Sequence, residues 1–112
     1  MKVLVIGGTR YMGKLLVRNL LNEGHEVSII SRGNQQPDWW HEIKHIKADR
    51  SDKVELESGL KGMEFDWVFD FQAYRKEHVE DFGNIMNGRV GKYLFVSTGS
   101  IYSKWDYGTP ED

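Results

Sequence analysis

The feature that most constrains this chain is a glycine-rich segment between a strand pattern and a helix pattern. Residues 3–6 are continuously apolar, which is typical of a strand buried on both faces of a parallel sheet. From residue 11 to Gly24, apolar residues recur every three or four positions, as in an amphipathic helix that ends at a glycine. A second β-rich run at 27–30 completes a β-α-β unit. The segment consists of Gly7, Gly8, Thr9, Arg10, Tyr11, Met12 and Gly13.

The spacing of the three glycines predicts what this segment binds. Gly7 permits a tight turn after the strand, Gly8 lets the backbone approach a pyrophosphate, and Gly13 lets the helix pack closely on the sheet. Backbone N–H groups at the helix N-terminus would face the phosphates. An ordinary glycine-rich turn is the alternative, but the flanking strand, helix and second strand favour a dinucleotide site.

Strand and helix patterns alternate through the rest of the chain. Further strands are predicted from residue 43 to near Asp49, at 65–71 and at 93–96, and helices at 54–60 and 79–86. This alternation predicts one α/β domain over residues 1–112 with a doubly wound parallel sheet of about five strands in the order 3-2-1-4-5.

Composition excludes several classes of protein. The net charge is −2, so the chain lacks the basic surplus that favours nucleic-acid binding. It has no cysteine, which excludes a disulfide framework and a thiolate metal site. No apolar run approaches the roughly 20 residues that cross a bilayer, and the N-terminus lacks a signal-peptide pattern. We expect a cytoplasmic protein with no membrane partner, and the charge disfavours a nucleic-acid partner.

Three motifs together resemble a known family. They are the glycine segment, residues 49–52 (Asp-Arg-Ser-Asp) and residues 95–102 (Phe-Val-Ser-Thr-Gly-Ser-Ile-Tyr). In this order and spacing they resemble the N-terminal portion of the extended or atypical short-chain dehydrogenase/reductases, the NAD-dependent epimerase/dehydratase family. The resemblance implies a Rossmann-like NAD(P)-binding domain of an oxidoreductase that acts on a small molecule, with a nucleotide sugar as one candidate. A homo-oligomer is a candidate assembly.

One position departs from the family pattern. Arg10 stands where the family usually has its middle glycine. That form of the motif is similar to an atypical branch that includes chloroplast stem-loop binding proteins. A non-enzymatic nucleotide- or RNA-binding regulator on the same fold is therefore the alternative function.

The resemblance also assigns roles to residues beyond the glycine segment. It places Asp49 beside the adenine with Arg50 next to it, and Thr98 where a serine or threonine takes part in catalysis by binding the substrate. It places Phe71, Gln72 and Ala73 on the nicotinamide-ribose side. Two simpler interpretations remain open, namely that Asp49 and Asp52 cap a helix and that residues 97–100 are a polar strand end.

The end of the second strand predicts which cofactor is preferred. NAD-specific members of this fold have an acidic residue there for the ribose hydroxyls, whereas this chain has Ser31 and Arg32. An arginine would pair with a 2′-phosphate, which Arg10 could approach from the other side. We therefore predict NADP, with NAD as second choice. Solvated arginines without this role are the alternative.

The family's catalytic pair does not occur here. The resemblance implies a general acid/base Tyr-x-x-x-Lys pair, and this sequence contains none. We therefore expect this polypeptide to behave as an N-terminal portion without turnover of its own. We also expect it to associate, since a sheet ending at its fifth strand would leave an unpaired edge and an uncovered apolar face.

Two further motifs have competing interpretations. Residues 41–45 match the His-Glu-x-x-His pattern of zinc proteases, but alternating apolar residues favour a strand, which would hold the two histidines too far apart for one metal. We predict no metal site. Trp39 and Trp40 could stack on a base or could cover the end of the sheet. His78 is expected to be a surface residue.

Overall fold

The computed structural model describes residues 1–7, 11–33, 36–72, 76–97, 100–106 and 109–110. Three helices alternate with strands along the chain, and a short 3₁₀ turn at Trp40–Glu42 precedes the third strand. The strands are β1 (Lys2–Ile6), β2 (Glu26–Ser31), β3 (Lys44–Lys47), β4 (Phe65–Asp70), β5 (Val90–Ser97), β6 (Ser100–Asp106) and β7 (Thr109–Pro110). The helices are α1 (Tyr11–Asn22), α2 (Lys53–Leu60) and α3 (Lys76–Ile85).

The sheet has the order β3-β2-β1-β4-β5-β6-β7, and its first five strands are parallel. These five strands confirm the predicted doubly wound, Rossmann-like arrangement. The expectation of an unpaired edge at β5 is wrong, because β6 pairs with it antiparallel and β7 pairs with β6. An antiparallel strand needs no crossover helix, so β6 can follow β5 directly in the chain.

β1 lies at the centre of the sheet and contributes to both faces. Val3 and Val5 pack on the face that α1 covers, together with Val17 of that helix. Leu4 and Ile6 pack on the opposite face against residues of α2 and α3. All four strand residues are almost completely buried. The continuous apolar run of the sequence is therefore explained by burial on both sides.

The start of α2 is fixed by a side-chain cap. Oδ1 of Asp52 accepts hydrogen bonds from the backbone N–H groups of Val54 and Glu55 at 3.0 and 3.1 Å. The capping interpretation is thus confirmed for Asp52. The helix then buries Leu56 and Leu60 against the sheet.

Arg89 holds the ends of α2 and α3 together. Its Nη1 donates to the carbonyl oxygens of Leu60 and Met63 at 3.1 and 3.3 Å, and its Nη2 donates to that of Ile85 at 2.6 Å. These carbonyls follow or end the two helices, where backbone acceptors lack helical partners and a cation is favoured.

We expect Arg89→Met to lower the free energy of unfolding by about 1.5–3 kcal/mol, the usual scale for hydrogen bonds to a charged group. Urea denaturation followed by tryptophan fluorescence measures the change. Lys61→Met is the control, because Lys61 is an exposed cation beside the same helix end. Equal midpoints for the two variants would show that the three carbonyls do not need the guanidinium.

Candidate functional site

The carboxyl ends of β1 and β4 meet at Gly7 and Gln72. Gly7 is buried, has a φ of +81°, and donates its N–H to the carbonyl oxygen of Ile30 at 2.9 Å. A Cβ on Gly7 would lie 2.5 Å from Cγ of Gln72, so no larger residue fits without displacing that side chain. The strand order reverses between β1 and β4, and open α/β sheets bind ligands at such a switch point.

The rest of the glycine segment leads into α1. Gly8, Thr9 and Arg10 lie outside the described residues. Tyr11 and Met12 are the first two residues of α1, and Gly13 is buried in its first turn. The helix N-terminus thus follows the carboxyl end of β1, as a phosphate site requires.

The ends of β2 and β3 bring Ser31, Arg32 and Asp49 together. Ser31 is buried, and its Oγ accepts from the N–H of Gly33 at 3.2 Å and lies 3.0 Å from Nε2 of His45. The Arg32 side chain is 70% exposed, with its Nε 3.9 Å from Oδ2 of Asp49. Arg32 is therefore a cation at the sheet edge that is free to turn toward a ligand.

Asp49 is held by its own loop. Its Oδ1 accepts from the N–H of Ser51 at 2.8 Å, and its N–H donates to Oε1 of Glu55 at 3.1 Å. Asp52 alone caps α2, so the capping interpretation does not apply to Asp49. The Asp49 carboxylate remains 36% exposed beside Arg32.

The side chain of Arg50 is buried in the core, whereas that of Asp49, the preceding residue, is partly exposed. Its Nη2 lies 2.5 Å from Oδ2 of Asp70, and the side chains are 4% and 0% exposed. The hydroxyl of Tyr93 donates to the same carboxylate oxygen at 2.6 Å. Arg50, Asp70 and Tyr93 are called the Asp70 cluster below. The guanidinium also lies over the ring of Phe82, 5.8 Å from its centroid.

The Asp70 cluster is electrostatically unusual. Burial raises the pKa of the Asp70 carboxyl, while the charge of Arg50 and the hydrogen bond from Tyr93 act in the opposite direction. Burial, followed by the charge of Asp70, raises the pKa of the Tyr93 hydroxyl far above its ordinary value of 10.0. In the described part of the chain, Nε and Nη1 of Arg50 are buried without a hydrogen-bond partner.

The raised pKa of Tyr93 predicts that the protein loses stability at alkaline pH. In the unfolded chain the Tyr93 hydroxyl loses its proton near pH 10, whereas in the folded protein it keeps the proton. The free energy of unfolding therefore has its full value below pH 10. Above pH 10 it falls by up to about 1.4 kcal/mol per pH unit. Denaturant titrations at several pH values between 8 and 11 measure this slope. Tyr93→Phe is less stable at neutral pH but should show a shallower fall. An unchanged slope in Tyr93→Phe would contradict the assignment.

The Asp70 cluster was not predicted from the sequence, and the position of His78 was predicted wrongly. His78 is 6% exposed, so the surface expectation is wrong, because α3 presents it to the protein interior with Val79 and Phe82. Its Nε2 lies 3.4 Å from Oγ of Ser51. The available signal for the cluster was Asp70 itself, an acidic residue ending a mostly apolar strand, since a carboxylate is rarely buried without a partner.

The remaining predicted site residues are divided between described and undescribed parts of the chain. Phe71 follows β4, donates its N–H to the carbonyl oxygen of Ile6 at 3.0 Å, and packs on the α1 side of the sheet. Ala73 and Thr98 lie outside the described residues. Trp39 is 2% exposed within the core beneath α1, which confirms that it covers the sheet.

The His-Glu-x-x-His segment is a strand entry, as predicted. His41 and Glu42 belong to the 3₁₀ turn, whereas His45 lies in β3 and is engaged with Ser31. Within the described ranges, no group of three His, Cys, Asp or Glu side chains is arranged to hold a metal ion. The helices in those same ranges include none long and apolar enough to span a membrane.

A family model and several known proteins are similar to this chain. The model of the NAD-dependent epimerase/dehydratase family matches residues 3–112. The chloroplast stem-loop binding protein of 41 kDa b from Arabidopsis thaliana is 33% identical over 118 residues, which cover 94% of this chain and 31% of that protein.

Solved structures share the fold. A nucleoside-diphosphate-sugar epimerase from Pseudomonas aeruginosa is 25% identical with a TM-score of 0.68, over 87% of this chain and 33% of the epimerase. The enzyme WbmG from Bordetella bronchiseptica, in complex with NAD, is 18% identical with a TM-score of 0.69, over 85% of this chain and 36% of that one. The chain thus spans about a third of the length of these relatives.

Proposed function

Because the chain belongs to the NAD-dependent epimerase/dehydratase family, we propose that it binds NADP as the cofactor-binding portion of an epimerase- or dehydratase-like oxidoreductase. The observation that carries the proposal is the geometry at Gly7. A buried glycine with positive φ follows the central strand at the switch point of the sheet, and α1 begins at Tyr11. Such a site suits a pyrophosphate, because the backbone N–H groups of a helix N-terminus at a switch point can face the phosphates.

The flanking residues would hold the two ends of the dinucleotide. Asp49, whose carboxylate is partly exposed, would accept from the adenine amino group. Phe71 and Gln72 follow β4 on the other side of Gly7, and we propose that they line the nicotinamide ribose together with Ala73. When bound, NADP would supply or accept a hydride, and Thr98 would hydrogen-bond the substrate, for which a nucleotide sugar is the class we favour.

Arg32 is the basis for preferring NADP over NAD. It is exposed at the end of β2, where this fold places the adenine ribose, and its contact with Asp49 is too long for a strong hydrogen bond. A dianionic 2′-phosphate would offer the guanidinium a stronger, charge-assisted partner.

We expect Arg32→Ala to weaken NADP binding by about 10- to 150-fold, which corresponds to about 1.5–3 kcal/mol for hydrogen bonds to a charged group. NAD binding should stay nearly unchanged, since NAD has no 2′-phosphate. Isothermal titration calorimetry with both cofactors measures the two affinities. Arg18→Ala is the control, because Arg18 is an exposed arginine of α1 that pairs with Asp38.

Two results would contradict the preference for NADP. Equal losses of NADP and NAD affinity in Arg32→Ala would show that Arg32 does not contact the 2′-phosphate. A wild-type chain that binds NAD more tightly than NADP would show that the second-choice cofactor is the correct one.

RNA binding is the second candidate function. It is favoured by the name of the Arabidopsis thaliana relative, a chloroplast stem-loop binding protein. The net charge of −2 works against it, because RNA affinity depends largely on phosphate neutralisation. A mobility-shift titration with a stem-loop RNA separates the two functions, and salt-dependent RNA binding without cofactor binding would favour this candidate.

A further inference from the structure

We propose that Asp70 is a positioning residue that joins the adenine side of the cofactor site to its nicotinamide side. The inference rests on the proposed cofactor function and adds a route by which occupation of one side affects the other. The route runs from Asp49 through Arg50 and Asp70 to Gln72, and Tyr93 fixes its centre.

The Asp70 cluster crosses the boundary between the two halves of the sheet. Arg50 follows β3, whereas Asp70 ends β4 and Tyr93 lies in β5. Because β2 and β1 lie between β3 and β4, the ion pair connects chain segments whose strands are not neighbours. A dinucleotide bound at the switch point spans the same boundary from the carboxyl edge.

Both carboxylate oxygens of Asp70 are committed, and they face different loops. Oδ2 accepts hydrogen bonds from Nη2 of Arg50 at 2.5 Å and from the hydroxyl of Tyr93 at 2.6 Å. Oδ1 accepts a hydrogen bond from the backbone N–H of Gln72 at 2.9 Å. The Gln72 side chain in turn lies against Gly7, where an added Cβ would overlap it. A displacement of Arg50 is therefore transmitted to the residue that covers the glycine turn.

On the adenine side, the same arginine fixes the loop that carries Asp49. Arg50 is the next residue in the chain, is 4% exposed, and is held between Asp70 and the ring of Phe82. Any movement of the Asp49 backbone toward an adenine must move Arg50 or strain it. The two sides of the site are thus mechanically linked through one buried carboxylate.

Stability alone does not account for this arrangement. Replacing a buried ion pair by apolar residues of similar volume is often neutral or stabilising, since desolvation offsets the attraction. Here the guanidinium also leaves two buried nitrogen atoms, Nε and Nη1, without hydrogen-bond partners in the described part of the chain. What the charged pair provides, and an apolar pair would not, is a directional connection to both loops.

Adenosine 2′,5′-bisphosphate is the probe that separates the two sides, because it carries the adenine end and no nicotinamide. It is titrated into ¹⁵N-labelled protein, and the amide signals of Ser51 and Gln72 are followed by NMR. In the wild type we expect both signals to shift with the same dissociation constant. In the double variant Arg50→Met/Asp70→Asn, which removes both charges together, Ser51 should still shift and Gln72 should not.

Affinity for the intact cofactor gives a second readout. The ratio of NADP affinity to bisphosphate affinity should be at least about fivefold smaller in the double variant than in the wild type, the lower end of typical coupling between sites. This ratio cancels any change at the adenine end that the loss of Arg50 itself causes. Phe82→Leu is the control, because it disturbs packing beside the cluster but keeps its hydrogen bonds. It should lower stability and retain the Gln72 response.

The outcomes separate this inference from the proposed function. If the bisphosphate shifts no signal in the wild type, the cofactor proposal itself fails. If Ser51 shifts in the wild type and Gln72 does not, cofactor binding stands and the coupling is wrong, whatever the folding of the variants. A Gln72 response that persists in the folded double variant would show that the route does not pass through Asp70.

Discussion

Replacing Asp70 by asparagine is expected to lower the free energy of unfolding by about 3–5 kcal/mol, because it leaves the Arg50 guanidinium charged and buried without its counter-ion. The neutral amide keeps the shape of the carboxylate, so the loss reports charge rather than a cavity. Guanidinium chloride denaturation followed by tryptophan fluorescence, to which the buried Trp39 contributes, measures the loss.

Asp38→Asn is the matched control, because it removes the same kind of carboxylate from an arginine at the surface. Arg18 and Asp38 form two hydrogen bonds at 2.8 and 2.9 Å, but their side chains are 52% and 76% exposed. The Arg18 hydrogen bond lowers the pKa of Asp38, yet water screens the pair, and we expect no measurable change in the midpoint. Equal midpoints for Asp70→Asn and Asp38→Asn would refute the account of the Asp70 cluster.

Gly8→Asp is expected to weaken NADP binding by at least about 100-fold, the largest effect on affinity that we predict. The side chain would bring bulk and negative charge to the point where the backbone must approach the pyrophosphate. Apposed like charges cost several kcal/mol at an interface, and each 1.4 kcal/mol is about tenfold in affinity. Calorimetric titration of the purified variant measures the loss, and its circular dichroism spectrum verifies folding.

Gly24→Asp provides the control for this substitution. Gly24 follows the C-terminus of α1, has a φ of +85°, and would place a Cβ in open space. Gly24→Asp therefore introduces the same charge, at a position of positive φ, at the helix end remote from the glycine segment. A Gly8→Asp chain that binds NADP as tightly as Gly24→Asp would exclude the glycine segment as the pyrophosphate site.

The periodic elements could be predicted from the sequence because each depends on local pattern and burial. The continuous run at β1 and the helical spacing that ends at Gly24 require no knowledge of partners. Asp52 was also predictable as a cap, since its carboxylate binds backbone N–H groups two and three residues ahead. The predicted strand order followed from the fold class to which this alternation belongs.

The Asp70 cluster could not be predicted in the same way. Arg50 and Asp70 meet only because the loop after β3 returns over the sheet toward β4, and nothing local to either residue encodes that meeting. The same holds for His78, whose helical position alone did not show which face of α3 would be buried. The antiparallel β6 was not predicted, because the sheet was expected to end at its fifth strand and residues 97–100 were interpreted only as a polar strand end or a family motif.

The pairing of β1 with β4 also has a consequence for the order of folding. Its register joins Val3 to Trp67, more than half the chain apart, so this pairing closes a far longer loop than that of β1 with β2. Closing such a loop costs chain entropy before any contact compensates it, which makes it a late and slow event. If β4 paired one residue out of register, its side chains would exchange faces and Asp70 would point away from Arg50. The Arg50 guanidinium would then be buried without its counter-ion. The buried ion pair thus penalises misaligned intermediates and favours the correct closure of the sheet.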